Sequence, residues 1–278
     1  MLFLSLLPLS LAVSTCTGVT DSGKIDHVHL VDVVKGSGGA SGQMNLLFRS
    51  GSPDTKDGVA FAYDQLLSQM REVAAAEGGV TIPDKCEIVD VNLLNVQQGE
   101  NGDRGETQQE FDFFNKYAPS TPYKVGDLYH FWATFGTEAN ASDPTIDAAH
   151  RQYLVDTEPA WNMDQLSIRV AALQDMMGDF SWGVSKCIFF HCDCGCDRTG
   201  EMAAAYYLSS LPANTDHPDA WSTINAVNVK IPGRPWGCNN YLAAHWHCLW
   251  LEQIRGHSLG CDHGGECQGP NKTIIYQH

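Results

Sequence analysis

The chain is short of basic residues: among its 278 residues, 17 lysines and arginines stand against 33 aspartates and glutamates, so the formal net charge is −16. DNA, RNA and anionic membrane surfaces repel a protein of that charge as it approaches them. The balance therefore argues against nucleic acid or an acidic lipid surface as the main partner. The oligomeric state does not follow from composition and stays open.

Long apolar runs are also scarce. The run Met1–Ala12 has the length of the hydrophobic part of a secretory signal peptide, and it is shorter than the roughly 20 residues that cross a bilayer. We therefore expect residues 1–16 to be a cleaved signal peptide, with an apolar first strand as the alternative. The mature chain is expected to lack a transmembrane segment and to be secreted or lumenal. Glycosylation sequons at Asn140 and Asn271 agree with that compartment.

Cysteine is too sparse for a scaffold held together mainly by disulfides, since the chain has ten. Hydrophobic residues make up 43% of the sequence, which predicts a packed core instead. Removal of Cys16 with the signal peptide, and of Cys192 as a reactive thiol, leaves an even number of cysteines for structural disulfides. Cys261 with Cys267 is the pair that spacing favours.

Apolar, β-branched runs alternate with helical patterns, which predicts one α/β domain with a mostly parallel central sheet flanked by helices. The predicted strands are Ile25–Val34, Asn45–Phe48, Glu87–Leu94, Leu128–Ala133, Gln152–Val155 and Cys187–His191. The predicted helices are Gly58–Glu77, Met163–Met177, Gly200–Leu211 and Asn240–Arg255. The polar stretch Gly99–Gly105 is expected to be a surface loop. We place the domain at residues 25–256, followed by a tail of residues 257–278 containing glycine, cysteine and histidine.

Residues 187–200, CIFFHCDCGCDRTG, place a cysteine between a buried strand and a helix. Five residues separate Cys192 from Arg198, and a loop of that length can curl its N–H groups around a tetrahedral phosphate. Gly195 allows the turn, and the helix N-terminus favours the thiolate form of Cys192. The predicted phosphate-binding loop consists of Asp193, Cys194, Gly195, Cys196, Asp197 and Arg198.

Three further side chains have expected roles in this chemistry. Arg198 supplies a planar fork that holds two phosphate oxygens. The hydroxyl of Thr199 can donate to the sulfur and ease its departure from a phosphocysteine. His191 supports the loop without touching substrate. Together they predict cleavage of a phosphate monoester by a thiolate.

The segment HCDCGCDRTG, residues 191–200, resembles the HCxxGxxRT signature of the cysteine-based phosphatases, the protein tyrosine and dual-specificity superfamily. Leu47–Gly51 is similar to the strand-end RSG of several of its dual-specificity-like members. The resemblance implies a three-layer fold with the loop at the C-terminal edge of the central strand. It also implies hydrolysis through a phosphocysteine, with no metal or organic cofactor.

Such enzymes use a general acid, usually an aspartate on a loop before the nucleophile, to protonate the leaving oxygen. Asp156 lies 36 residues upstream of Cys192, and Asp156–Pro159 resembles the Asp-then-Pro loop of the family. Glu158, Asp164 and the carboxylates of the loop itself are the alternatives. No Trp-Pro-Asp triplet is present.

The substrate class stays open between a phosphorylated protein and a small phosphate ester such as a phosphoinositide or inositol phosphate. Asp197 before Arg198 resembles the phosphoinositide-directed members, but the loop has no lysine. Asp193 and Asp197 on the rim would repel a polyphosphorylated headgroup by about 1 kcal/mol each if exposed.

Three other interpretations of these residues compete. The loop cysteines, with His245 and His247, offer metal ligands, although zinc sites usually have Cys-x2-Cys spacing. Asp26–His29 contains the His-x-His of metal-dependent hydrolases. A catalytically silent phosphate-binding module is the third, favoured if disulfides lock the loop. Cys194 and Cys196 are close enough in sequence to protect or switch Cys192 reversibly, or they pair elsewhere.

Overall fold

The computed structural model describes residues 24–37, 42–55, 60–94, 101–117, 128–130, 148–161 and 164–261. The predicted signal peptide, both sequons and residues 262–278 lie outside that set. In the part of the chain that is described, no helix is both long and apolar enough to span a bilayer.

Strands and helices alternate along the described chain. The strands are β1 (His29–Lys35), β2 (Met44–Ser50), β3 (Cys86–Asn92), β4 (Leu128–His130) and β5 (Ser185–His191). The helices are α1 (Tyr63–Gly78), α2 (Asn101–Tyr117), α3 (Ala148–Thr157), α4 (Leu166–Gly178), α5 (Asp197–Ser210), α6 (Ala220–Lys230) and α7 (Cys238–Arg255). A 3₁₀ turn, Glu158–Ala160, follows α3 directly.

The five strands form one sheet in the order β1-β2-β5-β3-β4. β1 is antiparallel to β2, and the other neighbours are parallel, which confirms the predicted fold class. All seven residues of β5 are buried, as a central strand covered on both faces requires. Ser50 of β2 and Asn92 of β3 are both in register with His191, so three strands end side by side.

Each face of the sheet is covered by helices, so the architecture has three layers. Phe48 and Phe189 face α1 and α2 within one apolar cluster. Ile188 and Phe190 face α4 and α5 within another. Full burial of such side chains stabilises the fold by about 1.5–3 kcal/mol each. A third cluster, rich in tryptophan, packs α3, α6 and α7 against the outer side of α5.

Disulfide bonds tie several of these elements together. Cys86–Cys187 joins β3 to β5, and Cys248–Cys261 joins α7 to the segment after it. The sequence-based pairing of Cys261 with Cys267 is therefore wrong, because the chain after α7 folds back and brings Cys261 to Cys248. Six of the described cysteines are disulfide-bonded.

The same fold-back corrects the predicted start of the tail. Leu259 and Cys261 are buried, and the Glu252 carboxylate accepts hydrogen bonds from both of their backbone N–H groups, at 2.6 and 3.2 Å. The folded domain thus continues to Cys261, beyond the predicted boundary at residue 256. The glycines and the histidine in this stretch form no apolar pattern, so its anchoring to α7 was not predicted from the sequence.

Two local predictions were wrong. Gln152–Val155, predicted as a strand, lies in α3, where Leu154 and Val155 join the buried cluster around α7. A run of apolar residues this short does not distinguish a strand from a buried helical turn. The predicted loop Gly99–Gly105 instead contains the start of α2. That helix buries Thr107 and Glu110 as well as Phe114, so its inward face mixes polar and apolar residues and its apolar period is weak.

Candidate active site

The loop that follows β5 lies at the carboxyl ends of three parallel strands. It runs from Cys192 to Cys196, and α5 begins at Asp197. The free N–H groups and the positive end of the α5 dipole therefore point toward it. Crevices at the carboxyl ends of strands, where the chain crosses from one face of the sheet to the other, are the usual ligand sites of such sheets.

Gly195 makes the turn of the loop, with a φ of 68° that confirms the expected left-handed conformation. A Cβ at this position would lie 2.5 Å from the Gly51 nitrogen and 2.7 Å from the Ser50 carbonyl oxygen. Ser52 N–H also donates to the Asp193 carbonyl oxygen at 2.8 Å. The chain leaving β2 thus holds the loop in place through close backbone contacts.

The nucleophile predicted from the sequence, Cys192, is a buried free thiol at the base of this loop. The Thr199 hydroxyl donates to the Cys192 sulfur at 3.2 Å, and the backbone N–H of Cys192 donates to the same hydroxyl oxygen at 2.9 Å. Thr199 is fully buried on the first turn of α5. The structure therefore brings these two predicted residues into direct contact.

A second arginine, Arg49, lies beneath the loop, and the sequence analysis gave it no role. Its guanidinium donates to the Gly195 carbonyl oxygen at 3.1 Å and to Asn228 Oδ1 at 2.5 Å. Burial lowers its pKa to about 10, an effect that the nearby charges of Cys192 and Cys196 oppose. Arg49 is thus a buried cation close to the Cys192 sulfur. The sequence feature that could have indicated a role for Arg49 is the presence of an arginine within the apolar run of β2.

Arg198, the predicted phosphate ligand, is half-buried on the first turn of α5. Its Nη1 donates to the Leu93 carbonyl oxygen at 3.3 Å, which directs the side chain toward the end of β3. The guanidinium therefore lies along the strand ends that border the loop.

The other charged residue of that turn, Asp197, forms an ion pair that the sequence did not indicate. Arg234 donates to its two oxygens at 3.1 and 2.9 Å, and Gly237 N–H donates at 2.5 Å. The hydrogen bonds to Asp197 raise the pKa of Arg234, and the charges of Cys196 and Cys192 act on it in the same direction. The expectation that Asp197 would repel an anionic substrate is corrected, because Arg234 neutralises it.

The two other cysteines of the loop differ from each other. Cys194 is disulfide-bonded, so its sulfur is already used and cannot serve as a reversible partner of Cys192 in this state. Cys196 is a buried free thiol whose pKa burial raises to about 12. Its thiol donates to the Cys194 carbonyl oxygen at 3.3 Å. Cys192 and Cys196 are the two free thiols among the described residues.

Asp156, the first choice for the general acid, lies away from the loop. It is exposed on α3 and accepts hydrogen bonds from Gln152 at 2.9 Å and Gln253 at 2.7 Å, which lower its pKa. Gln253 belongs to the last turn of α7, where Arg255 donates to the Leu208 carbonyl oxygen. Leu208 is about 16 Å along α5 from the loop, so Asp156 lies near the wrong end of that helix for this role.

The alternatives Glu158 and Asp164 are buried within the helical layer. Glu158 accepts a hydrogen bond from His247 at 2.8 Å, and His247 also contacts Ser209 near the end of α5. Burial raises the pKa of Asp164 to about 7, with Arg169 acting in the opposite direction. Neither carboxyl is exposed to a substrate bound at the loop.

The histidine pairs that suggested metal binding are separated in the structure. His29 contacts Glu77 of α1 at 2.8 Å. His27 instead lies where the charges of Arg49 and Arg234 act on it, although burial is the main cause of its lowered pKa. His245 contacts the Cys261 carbonyl oxygen at 2.8 Å. These histidines therefore do not assemble a shared metal site among the described residues.

His191, the supporting residue at the end of β5, is fully buried. Its Nε2 lies 3.1 Å from Asp90 Oδ1 and 3.2 Å from Glu110 Oε1. Neither carboxylate was singled out from the sequence, since one lies within an apolar strand and the other on α2, a helix that was not predicted. The histidine thus connects β5 to β3 and α2 directly behind the nucleophile.

Comparisons with known proteins return no matching family model, no similar curated protein and no similar solved structure.

Proposed function

We propose that the protein is a cysteine-dependent phosphatase that hydrolyses phosphate monoesters through a phosphocysteine intermediate. The observation that carries the proposal is the contact of a buried, free Cys192 sulfur with the Thr199 hydroxyl, in a strand–loop–helix unit that ends in Arg198. The resemblance of residues 191–200 to the phosphatase signature supports the same assignment. A phosphate-binding module without catalysis is the alternative, and a free Cys192 favours the enzyme.

In the first step, the Cys192 thiolate attacks phosphorus and the bond from phosphorus to the leaving oxygen breaks. Arg198 and the N–H groups of the loop hold the remaining phosphate oxygens. Arg49 supplies positive charge beneath the sulfur. The products of this step are the phosphocysteine and an alcohol, whose oxygen takes its proton from a general acid.

In the second step, water attacks phosphorus and the S–P bond breaks, so the electron pair returns to the Cys192 sulfur. The group that acted as acid now accepts the proton of the water. The Thr199 hydroxyl donates to the sulfur as its charge develops. Inorganic phosphate leaves, and the thiolate is regenerated.

We assign the general acid to Asp193, the carboxyl next to the nucleophile. Asp197 is a poor acid because its ion pair with Arg234 favours the charged form. Asp193 is partly exposed and its charge acts on Asp54, another carboxyl beside the loop. It therefore combines access to substrate with a place on the loop.

Replacement of Thr199 by alanine tests the covalent intermediate. We expect the variant to hydrolyse the phosphocysteine about 10-fold more slowly, because the sulfur loses its hydrogen-bond donor as it leaves. Acid quenching during turnover of a ³²P-labelled aryl phosphate should then show more label on Cys192 than in the wild type. Absence of label from both proteins under reducing conditions would contradict the proposed mechanism.

Replacement of Asp193 by asparagine tests the acid. Hydrolysis of an alkyl phosphate should fall by about 100-fold, while an activated aryl phosphate should be affected much less, since its leaving group needs no proton. Asp156→Asn serves as the matched control and should retain both activities. If Asp156→Asn or Asp164→Asn shows this leaving-group dependence and Asp193→Asn does not, the assignment to Asp193 is wrong.

The substrate is proposed to be a phosphorylated protein or a small phosphate ester, with phosphoinositides and inositol phosphates among the latter. Arg234 beside the loop reduces the repulsion that Asp197 would exert on a multiply phosphorylated ligand. We further propose a secreted or lumenal location, which is supported by the predicted signal peptide and by the disulfides Cys86–Cys187 and Cys248–Cys261.

A further inference from the structure

A buried cluster of polar side chains lies behind the loop that begins at Cys192, and its atoms are close enough together to hold one metal ion. It consists of Asp90 on β3, Glu110 on α2 and His191 on β5, each with one ligand atom within 4.8 Å of the others. All three side chains are inaccessible to solvent. His191 lies within ion-pair distance of both carboxylates, so a single imidazolium faces two buried carboxylates.

Well-aligned hydrogen bonds do not accompany this ion pair. His191 Nε2 lies 3.1 and 3.2 Å from the two carboxylate oxygens, yet in the described part of the chain Nε2, both oxygens of Asp90 and Glu110 Oε1 make no hydrogen bond. A protonated imidazole offers one hydrogen at Nε2, and that hydrogen is aligned with neither carboxylate. One imidazolium balances the charge of only one carboxylate, and a second buried carboxylate is costly, because its charge has lost its hydration.

The spacing matches a coordination shell. Metal–ligand bonds of about 2.0–2.2 Å place neighbouring ligand atoms about 2.8–3.1 Å apart in octahedral geometry and about 3.3–3.6 Å apart in tetrahedral geometry, so about 2.8–3.6 Å in all. The contacts of Nε2 with the two oxygens, 3.1 and 3.2 Å, fall within that interval. Two carboxylates would also balance the charge of a divalent cation.

A second set of residues orients the ligands. Asn92 donates through its side-chain amide to Glu110 Oε2 and, at 3.3 Å, to Thr107 Oγ1. The Leu94 backbone N–H fixes the other side of that amide by donating to Asn92 Oδ1 at 2.7 Å. Glu110 therefore has one oxygen engaged and presents the other to His191. Outer hydrogen bonds of this kind typically support metal ligands.

We propose that Asp90, Glu110 and His191 bind a divalent first-row transition-metal ion, of the Zn²⁺ or Mn²⁺ class. Imidazole nitrogen together with carboxylate oxygen suits these ions better than Ca²⁺ or Mg²⁺, which prefer oxygen alone. The ion connects β3, α2 and β5 and holds α2 in place behind the loop. Because the site is closed to solvent, the ion has a structural role and does not contact the phosphate.

The first test measures metal content directly. Full-length protein, purified without chelator and dialysed, should contain about one equivalent of zinc or manganese by mass spectrometry of the elements. Glu110→Gln, which keeps size and removes charge, should reduce that content at least about 10-fold. Glu158→Gln is the matched control, since Glu158 also forms a buried pair with a histidine, His247, but with a satisfied hydrogen bond. Equal metal content in both variants would overturn the proposal.

A second measurement keeps the test valid if Glu110→Gln does not fold. Wild-type protein treated with chelator should bind Zn²⁺ or Mn²⁺ at one site in calorimetric titration, with a rise in Tm. Co²⁺ should give visible absorption bands of nitrogen and oxygen ligation. No stoichiometric binding, and no change in Tm, would refute the site. These readouts do not involve turnover, so they are independent of whether the protein is a phosphatase.

Discussion

Replacement of Cys192 by serine should lower the turnover of an aryl phosphate by about 10⁴-fold or more, a loss typical of removing a catalytic nucleophile. A serine hydroxyl at this position is protonated at neutral pH and is a much weaker nucleophile than a thiolate. Binding should persist, because Arg198 and the N–H groups of the loop are unchanged. Inorganic phosphate should therefore still compete for the variant at a concentration similar to that for the wild type.

Cys196→Ser provides the matched control, because Cys196 is the other buried free thiol of the same loop. Its contribution to phosphate binding is a backbone N–H, so most of the turnover should remain. Both variants should be assayed with reductant and with chelator, so that thiol oxidation and metal catalysis are separated from the effect of the substitution. Full turnover by Cys192→Ser would rule out a phosphocysteine.

Replacement of Arg49 by methionine should reduce turnover by about 10³-fold, comparable to the loss of a strong electrostatic contact in other active sites. The guanidinium lies beneath the loop, donates to the Gly195 carbonyl oxygen and is close to the charge of Cys192. Its loss removes a buried positive charge close to the Cys192 sulfur. The effect should fall on kcat/KM for every phosphate ester tested.

Replacement of Arg49 by methionine should change the stability of the fold much less than it changes turnover. Burial lowers the pKa of Arg49 from 12.5 to about 10, which corresponds to a cost of about 3 kcal/mol for keeping it charged in the folded state. A lowered pKa of a base means that this cost is fully present at neutral pH and is relieved only as pH rises above 10. Methionine removes the cost but leaves Asn228 and Gly195 without a donor, at about 1–3 kcal/mol each.

The cost of burying the Arg49 charge and the cost of leaving two acceptors without a donor are of similar size. We therefore expect Arg49→Met to change Tm only slightly, alongside the large loss of turnover. Arg255→Met is the control, since Arg255 also donates to backbone carbonyl oxygens, those of Leu208 and Ser209, at the opposite end of α5. It should retain turnover. A large drop in Tm for Arg49→Met, with activity lost in proportion to unfolding, would show that Arg49 is a structural residue only.

The order of strands and helices along the chain could be predicted because the sequence patterns that indicate them are local. The apolar run before His191 marks a central strand, and the cysteine, glycine and arginine spacing after it marks the loop. Cys192, Gly195 and Thr199 accordingly lie together. The strand–helix alternation likewise predicted a mostly parallel sheet.

The parts that were missed depend on contacts between distant segments. Arg234 meets Asp197 across the N-terminal ends of α5 and α7, and no spacing in the sequence indicates that pair. Arg49 reaches the loop because β2 and β5 are neighbours, a fact of sheet order. Glu110 lies on a helix whose inward face mixes polar residues with Phe114, so an apolar period could not reveal it.

Asp156, the first choice for the general acid, lies away from the loop for a related reason. Asp156 was placed at the end of a strand, where it would have pointed into the crevice with the loop. Its segment is helical instead and packs against α7, and the side chain is held on the surface by Gln253. Because this short segment is helical and not the predicted strand, Asp156 lies at the far end of α5 from the loop.

The Cys86–Cys187 disulfide has a consequence for resistance to proteases. It closes a covalent ring of the chain from β3 to β5, with 101 residues of sequence separation between its ends. A protease that cuts once inside this ring opens it without separating the two fragments. β5, which directly precedes Cys192, would then remain bonded to β3. A nicked molecule can therefore keep its nucleophile in place for as long as this disulfide stays oxidised.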